Sequence, residues 1–224
     1  MPDSVVLIHT ISPLIEVFNQ LAAELIPGVF VRHILDEPML EGIRQRGGLT
    51  SADSVRLWDH IKMAENIRAR AVLVSCSMVS PLIDNLRPLT TLPLVKIEEA
   101  MVAAAVLAGD RLSVLATNAA ALTQIQSAFE AQARQSGKEV ACAYHLVEGA
   151  FSALLENRTG DHDRLVRQAV VEFGSRVDAI VLAQASMARV LAEIPEHKRP
   201  IPIFSSPRLA LEQVRKHLGD LQWG

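Results

Sequence analysis

The chain has 224 residues, of which 50% are hydrophobic and 21% are charged, so it can bury a large core and is not a disordered protein. Its net charge of -3 and its 4% of aromatic residues exclude the basic, ring-rich surface of a nucleic-acid binder. The longest apolar run, residues 100–108, is too short for a membrane span, and the start lacks a signal-peptide pattern. Two cysteines make neither a disulfide framework nor a zinc cluster. We therefore expect a cytoplasmic protein.

Eight short apolar, β-branched runs, bounded by Gly, Pro or Asp, follow the pattern of buried parallel strands. In chain order the predicted strands are Val5–Ile8, Val29–Ile34, Ala71–Ser75, Leu94–Ile97, Leu112–Ala116, Val140–His145, Ala179–Ala183 and Ile201–Phe204.

Segments with the periodicity of amphipathic helices lie between these runs. The clearest are Ala52–Arg70, preceded by Thr50 and Ser51 as N-caps, and Asp161–Arg176, with Asp161 as its cap. Strands that alternate with helices in this way predict an α/β fold with mostly parallel sheets.

The same order of elements occurs twice. Corresponding strands begin 107, 111, 108 and 107 residues apart. We therefore predict two similar α/β lobes, residues 1–109 and 110–224, with four-stranded, mostly parallel sheets related by pseudo-twofold symmetry. A final helix near Pro207–Leu218 is expected to cross back to the first lobe. Because open α/β sheets bind ligands at the carboxyl ends of their strands, the active site is expected in the cleft between the lobes.

Cys76 stands at the carboxyl end of the third predicted strand, in the segment VLVSCSMVSP. Ser80 and Pro81 follow as the N-cap and first residue of a helix. A thiol just before a helix N-terminus is biased toward the thiolate, which is the reactive form of a cysteine nucleophile or base. The alternative is a small buried core cysteine, and position alone leaves both open.

Gln184 holds the position in the second half that corresponds to Cys76. Its amide offers a donor and an acceptor but no proton to shuttle. The alternative is that Gln184 caps the helix that follows.

Polar residues also end the first strand of each half. Thr10 and Ser12 follow the first strand, and Thr117 and Asn118 follow the fifth, with the two threonines 107 residues apart. Their hydroxyls and the nearby backbone N–H groups could hold a carboxylate. Alternatively, they are ordinary helix-start residues.

The remaining patterns point away from cofactor and metal chemistry. The chain has no G-x-G-x-x-G after its first strand, no phosphate-binding loop, no G-x-S-x-G and no H-E-x-x-H, so we expect no cofactor. The run Asp161–Asp163 is interpreted as a charged helical turn rather than a metal site, and Cys142 as a core residue. Two glycine-arginine loops, Arg46–Ser51 and Arg158–Asp161, are candidates for anion-binding flaps or plain solvated loops.

In this order and spacing, these segments resemble the aspartate/glutamate racemase superfamily, which includes hydantoin racemases, maleate isomerases and arylmalonate decarboxylases. The resemblance spans nearly the whole chain. It rests on the duplicated lobes and on the segments VLVSCSMVSP, LSVLATNAA and DAIVLAQASMA. The segments that follow the site motifs in this family are also matched, by LPLVKIEEA and IPIFSSPRLAL.

The resemblance implies a cofactor-independent enzyme with one cysteine per lobe. One cysteine removes the proton α to a carboxylate or carbonyl, the other returns a proton from the opposite side, and donors at strand ends stabilise the enediolate-like intermediate. Cys76 matches the first-lobe cysteine, and Gln184 occupies the place of the second. Positions that line the substrate carboxylate in relatives are matched by Thr10, Ser12, Ser77, Thr117, Asn118, Ala185 and Ser186. Dimers are common in the superfamily, so a homodimer that binds a small carboxylate is expected.

Gln184 is the departure that shapes the functional hypotheses, because glutamine is neither an acid nor a base at neutral pH. One hypothesis is an isomerase, decarboxylase or lyase in which Cys76 alone works on one face of the substrate. A second is a racemase with another, unrecognised base. A third is a small-carboxylate binding protein without turnover. The apolar side chains of Met78, Val79 and Met187 suggest a substrate less polar than glutamate.

Overall fold

The computed structural model describes residues 3–193, 199 and 201–219. These residues form two compact units. The first contains the described residues up to Ile97 and from Pro207 onward, and the second contains those from Glu98 to Ser206.

The first unit is built on a four-stranded, all-parallel sheet with the strand order β2-β1-β3-β4. Its strands are β1 (Ser4–His9), β2 (Phe30–Leu35), β3 (Val72–Val74) and β4 (Leu94–Lys96). Its helices are α1 (Pro13–Leu25), α2 (Glu37–Arg46), α3 (Ser51–Asn66) and α4 (Ser80–Leu86), and a short 3-10 helix, Arg87–Leu89, follows α4.

Local sequence signals explain how α2 ends and α3 begins. Gly47 follows α2 with φ of 76°, a left-handed conformation that glycine adopts without a Cβ clash. Thr50 then caps α3, as predicted, and forms a capping box in which the Asp53 carboxylate accepts the Thr50 backbone N–H at 2.8 Å.

One face of the first sheet packs against α3 and α4. Alternate residues of β1 and β3 point to this face, because successive strand residues point to opposite sides. Burying each large side chain here stabilises the fold by about 1.5–3 kcal/mol. The buried cluster includes Val6, Ile8, Val72, Val74, Leu57, Ile61 and Ile83.

The second unit repeats this plan with the strand order β6-β5-β7-β8, again all parallel. Its strands are β5 (Arg111–Ala116), β6 (Ala141–Leu146), β7 (Ala179–Leu182) and β8 (Ile203–Ser205). Its helices are α5 (Glu99–Ala108), α6 (Ala119–Ser136), α7 (Ala150–Leu155), α8 (Thr159–Phe173) and α9 (Arg189–Glu193), with a 3-10 helix, Ala185–Ala188, before α9.

The last helix, α10 (Ser206–Leu218), belongs to the first unit from Pro207 onward. Arg208 forms an ion pair with Glu24 of α1, and the Arg70 guanidinium, just before β3, donates to the Leu218 carbonyl oxygen at 3.3 Å. These contacts attach α10 to α1 and to the segment before β3.

All eight predicted strands are present, in two parallel sheets of four, which confirms the α/β fold. Two predicted helix starts are wrong. Arg158 is the N-cap of α8 because its carbonyl oxygen accepts the amides of Asp161 and His162, and Asp161 lies in the first turn. Ser80 is the first residue of α4 rather than its cap, since its amide already bonds to the Cys76 carbonyl oxygen at 3.2 Å.

Candidate active site

The carboxyl ends of β1 and β3 carry Thr10 and Cys76. The two strands pair in parallel as far as Ile8 and Val74, and the Ser75 amide continues the ladder with a 2.9 Å bond to the Ile8 carbonyl oxygen. Thr10 and Cys76 follow directly, at matching positions beyond the paired residues. Strand pairing therefore brings together two of the first-unit residues that the sequence proposed for the site.

Exposure separates the predicted residues of this edge. Thr10 is buried, whereas Cys76, Ser77 and Met78 are partly exposed, so the thiol lies in a segment that a small molecule can reach. Ser12 is exposed and precedes α1, where its backbone N–H donates to the Glu37 carboxylate at 3.2 Å. The Ser12 hydroxyl makes no capping bond to α1.

The chain turns sharply after Cys76. The Cys76 carbonyl oxygen accepts the amides of Val79 and Ser80 at 3.2 Å and the Ser80 hydroxyl at 3.3 Å. The amides of Val79, the N-cap of α4, and of Ser80, its first residue, therefore bond to the Cys76 carbonyl oxygen, and α4 has only seven residues. Cys76 lies just beyond the carboxyl end of β3, at the position that the sequence predicts.

Thr117 and Gln184 occupy the corresponding edge of the second sheet. β5 pairs with β7 as far as Leu115 and Leu182, and the two polar residues follow. The Gln184 Oε1 atom accepts hydrogen bonds from the Thr117 backbone nitrogen at 2.6 Å and from its Oγ1 at 2.8 Å. Gln184 is also the N-cap residue of the 3-10 helix that follows, where its backbone carbonyl oxygen accepts the Met187 amide at 3.0 Å, but its side chain makes no capping bond to that helix.

The other predicted residues of the second unit have simpler surroundings. Asn118 is the N-cap of α6, and its Oδ1 accepts the Ala121 amide at 2.9 Å, which is the helix-start role that the sequence left open. Ala185 and Ser186 begin the 3-10 helix and are partly exposed.

The structure corrects the expectation about Cys142 and favours one of the two alternatives for the loop arginines. Cys142 is only half-buried rather than a core residue, because β6 is an edge strand, and burial raises the pKa of its thiol. Arg46 forms an ion pair with Asp53 at 2.8 Å, and Arg158 with Asp161 at 2.7 Å. Both guanidinium groups are engaged inside their own unit, which favours the plain loop over an anion-binding flap.

The described residues contain no group of three or more His, Cys, Asp or Glu side chains positioned to hold a metal ion. Within the same residues, no helix is both long and apolar enough to cross a membrane. The run Asp161–Asp163 lies in the first turn of α8, where the buried His162 Nδ1 is 2.6 Å from the Asp163 carboxylate.

A chain of polar groups lies directly behind the Thr10–Cys76 edge, and the sequence pattern did not single it out. It runs from the buried Ser75 and His9 through the partly exposed His33 to the exposed Asn19. His9 Nδ1 is 2.7 Å from Ser75 Oγ, and His9 Nε2 is 2.9 Å from Nδ1 of His33 on β2. His33 Nε2 is in turn 2.9 Å from Asn19 Oδ1 on α1. We call these four residues the histidine bridge. The only signal for this chain of polar groups in the sequence is the pair of histidines, His9 and His33, near the ends of predicted strands.

Burial sets the electrostatics of this bridge. The His9 side chain is fully buried, and burial together with the adjacent His33 lowers the pKa of His9 to about 4. Burial also lowers the pKa of His33. Both imidazoles are therefore neutral at physiological pH.

Asp36, at the end of β2, is a second buried polar group. Its carboxylate accepts the Met39 amide at 3.1 Å as the N-cap of α2, and it contacts Arg56 and His60 of α3. Burial opposes its ionisation, but the hydrogen bonds from Arg56, His60 and Met39 outweigh that effect and lower its pKa. Asp36 thus ties β2 to two helices.

Two parallel α/β units, each with polar residues at the ends of its central strands, define a fold of the racemase type, and solved structures agree. An aspartate racemase from Picrophilus torridus has a TM-score of 0.71 and 15% identity over 96% of this chain and 94% of its own. An allantoin racemase from Klebsiella pneumoniae has a TM-score of 0.70 and 17% identity, over 96% of this chain and 87% of its own. A glutamate racemase from Bacillus anthracis has a TM-score of 0.68 and 14% identity, over 97% of this chain and 83% of its own.

The chain belongs to the Asp/Glu/hydantoin racemase family, whose profile matches residues 12–214. No curated protein sequence matches the chain. Family membership supports a racemase-like or isomerase-like activity, and the fold accounts for the sequence repeat.

Proposed function

We propose that this protein is a cofactor-independent isomerase or racemase-like enzyme that acts at the carbon α to a carboxylate or carbonyl of a small acid, with Cys76 as its thiol base or nucleophile. The observation that carries the proposal is the partly exposed Cys76 at a strand end beside Thr10, in a chain of this family. As a base, the Cys76 thiolate takes the α-proton and the electron pair of the C–H bond moves into the carbonyl group.

Donors at the strand ends then stabilise the resulting oxyanion. In the first unit we assign this role to Thr10, Ser12 and Ser77, with Met78 as an apolar contact. In the second unit we assign a substrate-binding role to Asn118, Ala185 and Ser186, while Thr117, whose N–H and hydroxyl both donate to Gln184, orients that side chain. A homodimeric assembly and a cytoplasmic location belong to the same proposal.

Gln184 is assigned a binding role rather than a proton-transfer role. Its Oε1 atom accepts two hydrogen bonds from Thr117, which fixes the orientation of the amide and leaves the Nε2 group as a donor for a substrate oxygen. A side chain held this way supports a second candidate, a decarboxylase or lyase that needs only one thiol. In that reaction the C–C bond to the departing CO2 supplies the electron pair, and the Cys76 thiol protonates the remaining carbanion.

The test is proton NMR in deuterated water with 2-substituted acids, substituted malonates and cyclic imides, each enantiomer separately. We expect loss of the α-proton signal, or release of CO2, with wild-type protein. Cys76→Ala is expected to lower the rate by roughly 10²- to 10⁴-fold, as removal of a proton-transfer group does. Cys142→Ala is the matched control, since it removes the other thiol and is expected to keep the wild-type rate.

The stereochemical result separates the candidates. Exchange with retained configuration indicates one working face, loss of optical purity indicates a second base, and a new monoacid from a malonate indicates decarboxylation. Equal rates for wild type and Cys76→Ala would refute the assignment of Cys76. Binding of an acid without exchange or product would favour the third reading, a small-carboxylate binding protein.

A further inference from the structure

The histidine bridge joins three strands and a helix of the first unit at the edge that carries Cys76. Ser75 follows β3, His9 ends β1, His33 lies on β2 and Asn19 on α1. Ser75 directly precedes Cys76, and His9 directly precedes Thr10. The two ends of the 2.7 Å contact between Ser75 and His9 are therefore each one residue away from a proposed site residue.

The distances define one direction for the hydrogen bonds. Asn19 Oδ1 can only accept, so a neutral His33 donates from Nε2 and accepts at Nδ1. His9 then donates from Nε2 to His33 and accepts at Nδ1 from the Ser75 hydroxyl. Ser75 Oγ also lies 3.2 Å from the Ile8 carbonyl oxygen, but because His9 Nδ1 carries no hydrogen in this tautomer, the Ser75 hydroxyl donates to His9. Every nitrogen of the two imidazoles has a partner in this arrangement.

The second unit shows that the fold does not need such a bridge. At the offsets of the sequence repeat, His9 corresponds to Ala116, Ser75 to Ala183 and His33 to Tyr144. Ala116 and Ala183 are buried at the ends of β5 and β7, so the same strand ends form there with two methyl groups. The unit with a cysteine at its site position has the bridge, and the unit with a glutamine lacks it.

Buried polar groups are costly unless fully paired, so their presence in only one of two similar units calls for a reason beyond folding. We propose that His9 is a positioning residue for Cys76: through Ser75 and His33 it holds the ends of β1, β2 and β3 in the register that presents the thiol next to Thr10. This inference rests on the proposed role of Cys76. It assigns no contact between His9 and the substrate.

Alkylation of Cys76 by iodoacetamide tests the inference without any substrate. In a Cys142→Ala background Cys76 is the only cysteine, so its rate of carbamidomethylation at pH 7 reports the exposure and ionisation of this thiol alone. His9→Phe removes both polar contacts of His9 and keeps a ring of similar size. We expect it to change the Cys76 alkylation rate at least threefold relative to His9.

A rescue and a matched control distinguish positioning from general packing. His9→Asn keeps an amide within reach of Ser75, so it is expected to return the rate to within twofold of wild type. His145→Phe, a change of the same kind at the end of β6, is expected to leave the rate unchanged. Ser75→Ala copies Ala183 of the second unit and removes little volume, so it tests the same contact if His9→Phe does not fold.

The outcomes separate the two proposals. Folded His9→Phe and Ser75→Ala proteins that both alkylate at the wild-type rate would overturn the positioning role, whatever the enzyme does. Wild-type turnover by Cys76→Ala in the NMR assay would instead overturn the proposed function. Where an exchange substrate is in hand, His9→Phe is expected to lower kcat by about 10-fold or more, since small displacements of a reacting group can cost up to 10²-fold.

Discussion

Acidification is expected to destabilise the first unit through His9. The pKa of His9 falls from an ordinary 6.5 to about 4 on folding, because the ring is buried and faces His33. The unfolded chain therefore binds a proton at His9 before the folded chain does as the pH falls. The stabilisation that depends on neutral His9 is complete above about pH 6.5 and is lost as the pH falls toward 4.

The size of the effect follows from the two pKa values. A His9 pKa of 6.5 in the unfolded chain and of about 4 in the folded chain corresponds to a total of about 3 kcal/mol in the free energy of unfolding, of which about 2 kcal/mol is lost by pH 5. Burial also lowers the pKa of His33, so its contribution has the same sign. Asp36 and Asp53, whose pKa values are lowered, lose their contributions only at lower pH and are present in both proteins compared.

The assay is urea unfolding at pH 8, 6.5 and 5, followed by the fluorescence of Trp58 in α3 of the same unit. A Trp223→Phe background makes Trp58 the only tryptophan. The free energy of unfolding is extrapolated to zero urea for the His9 protein and for His9→Phe, which cannot titrate at this position. The difference between them should change by about 2 kcal/mol between pH 8 and pH 5.

The reasoning would be refuted if the two free energies of unfolding ran parallel, within about 0.5 kcal/mol, from pH 8 to pH 5. That result would mean that His9 takes up a proton equally well in the folded and unfolded states. A constant offset between the proteins is expected from the loss of the polar contacts and does not bear on the titration.

Two further predictions concern stability. A Cβ on Gly109 would lie 2.2 Å from the Cβ of Asp178, so Gly109→Ala should lower the free energy of unfolding by about 1–3 kcal/mol. Gly48→Ala, with open space around the added Cβ, should leave that free energy unchanged. Chemical unfolding of the two variants checks this. Asp36→Asn removes a buried carboxylate from its arginine and histidine partners and should cost about 1–3 kcal/mol, while Asp59→Asn, exposed on α3, should change stability by less than about 0.5 kcal/mol. Equal unfolding midpoints for Asp36→Asn and Asp59→Asn would contradict the role of the Asp36 cluster.

The fold was accessible from the sequence because its signals are local. Short β-branched runs, helical periodicity and turn residues each occupy contiguous stretches of the chain. Because the same order of elements occurs twice, each half supports the assignment of the other. The same locality located Cys76 and Gln184, since a residue directly after a buried strand lies at the edge of a parallel sheet wherever the neighbouring strands are. Thr50 is predicted as a cap for the same reason, since it directly precedes a segment with helical periodicity.

What the sequence could not supply is the partner of each polar side chain. The contact between Gln184 and Thr117 joins residues 67 positions apart, and so does the pairing of β5 with β7 on which it depends. Cys142 has a core-like neighbourhood in sequence, but β6 lies at the edge of its sheet, and only the strand order decides that.

The histidine bridge has the same origin. His9, His33 and Ser75 meet because β1 lies between β2 and β3, an order that differs from their order along the chain. By itself the sequence determined the elements, their repetition and the strand end that carries the thiol. The tertiary structure alone decided which polar groups support that strand end, because hydrogen-bond partners depend on strand order and side-chain direction, and long-range packing sets both.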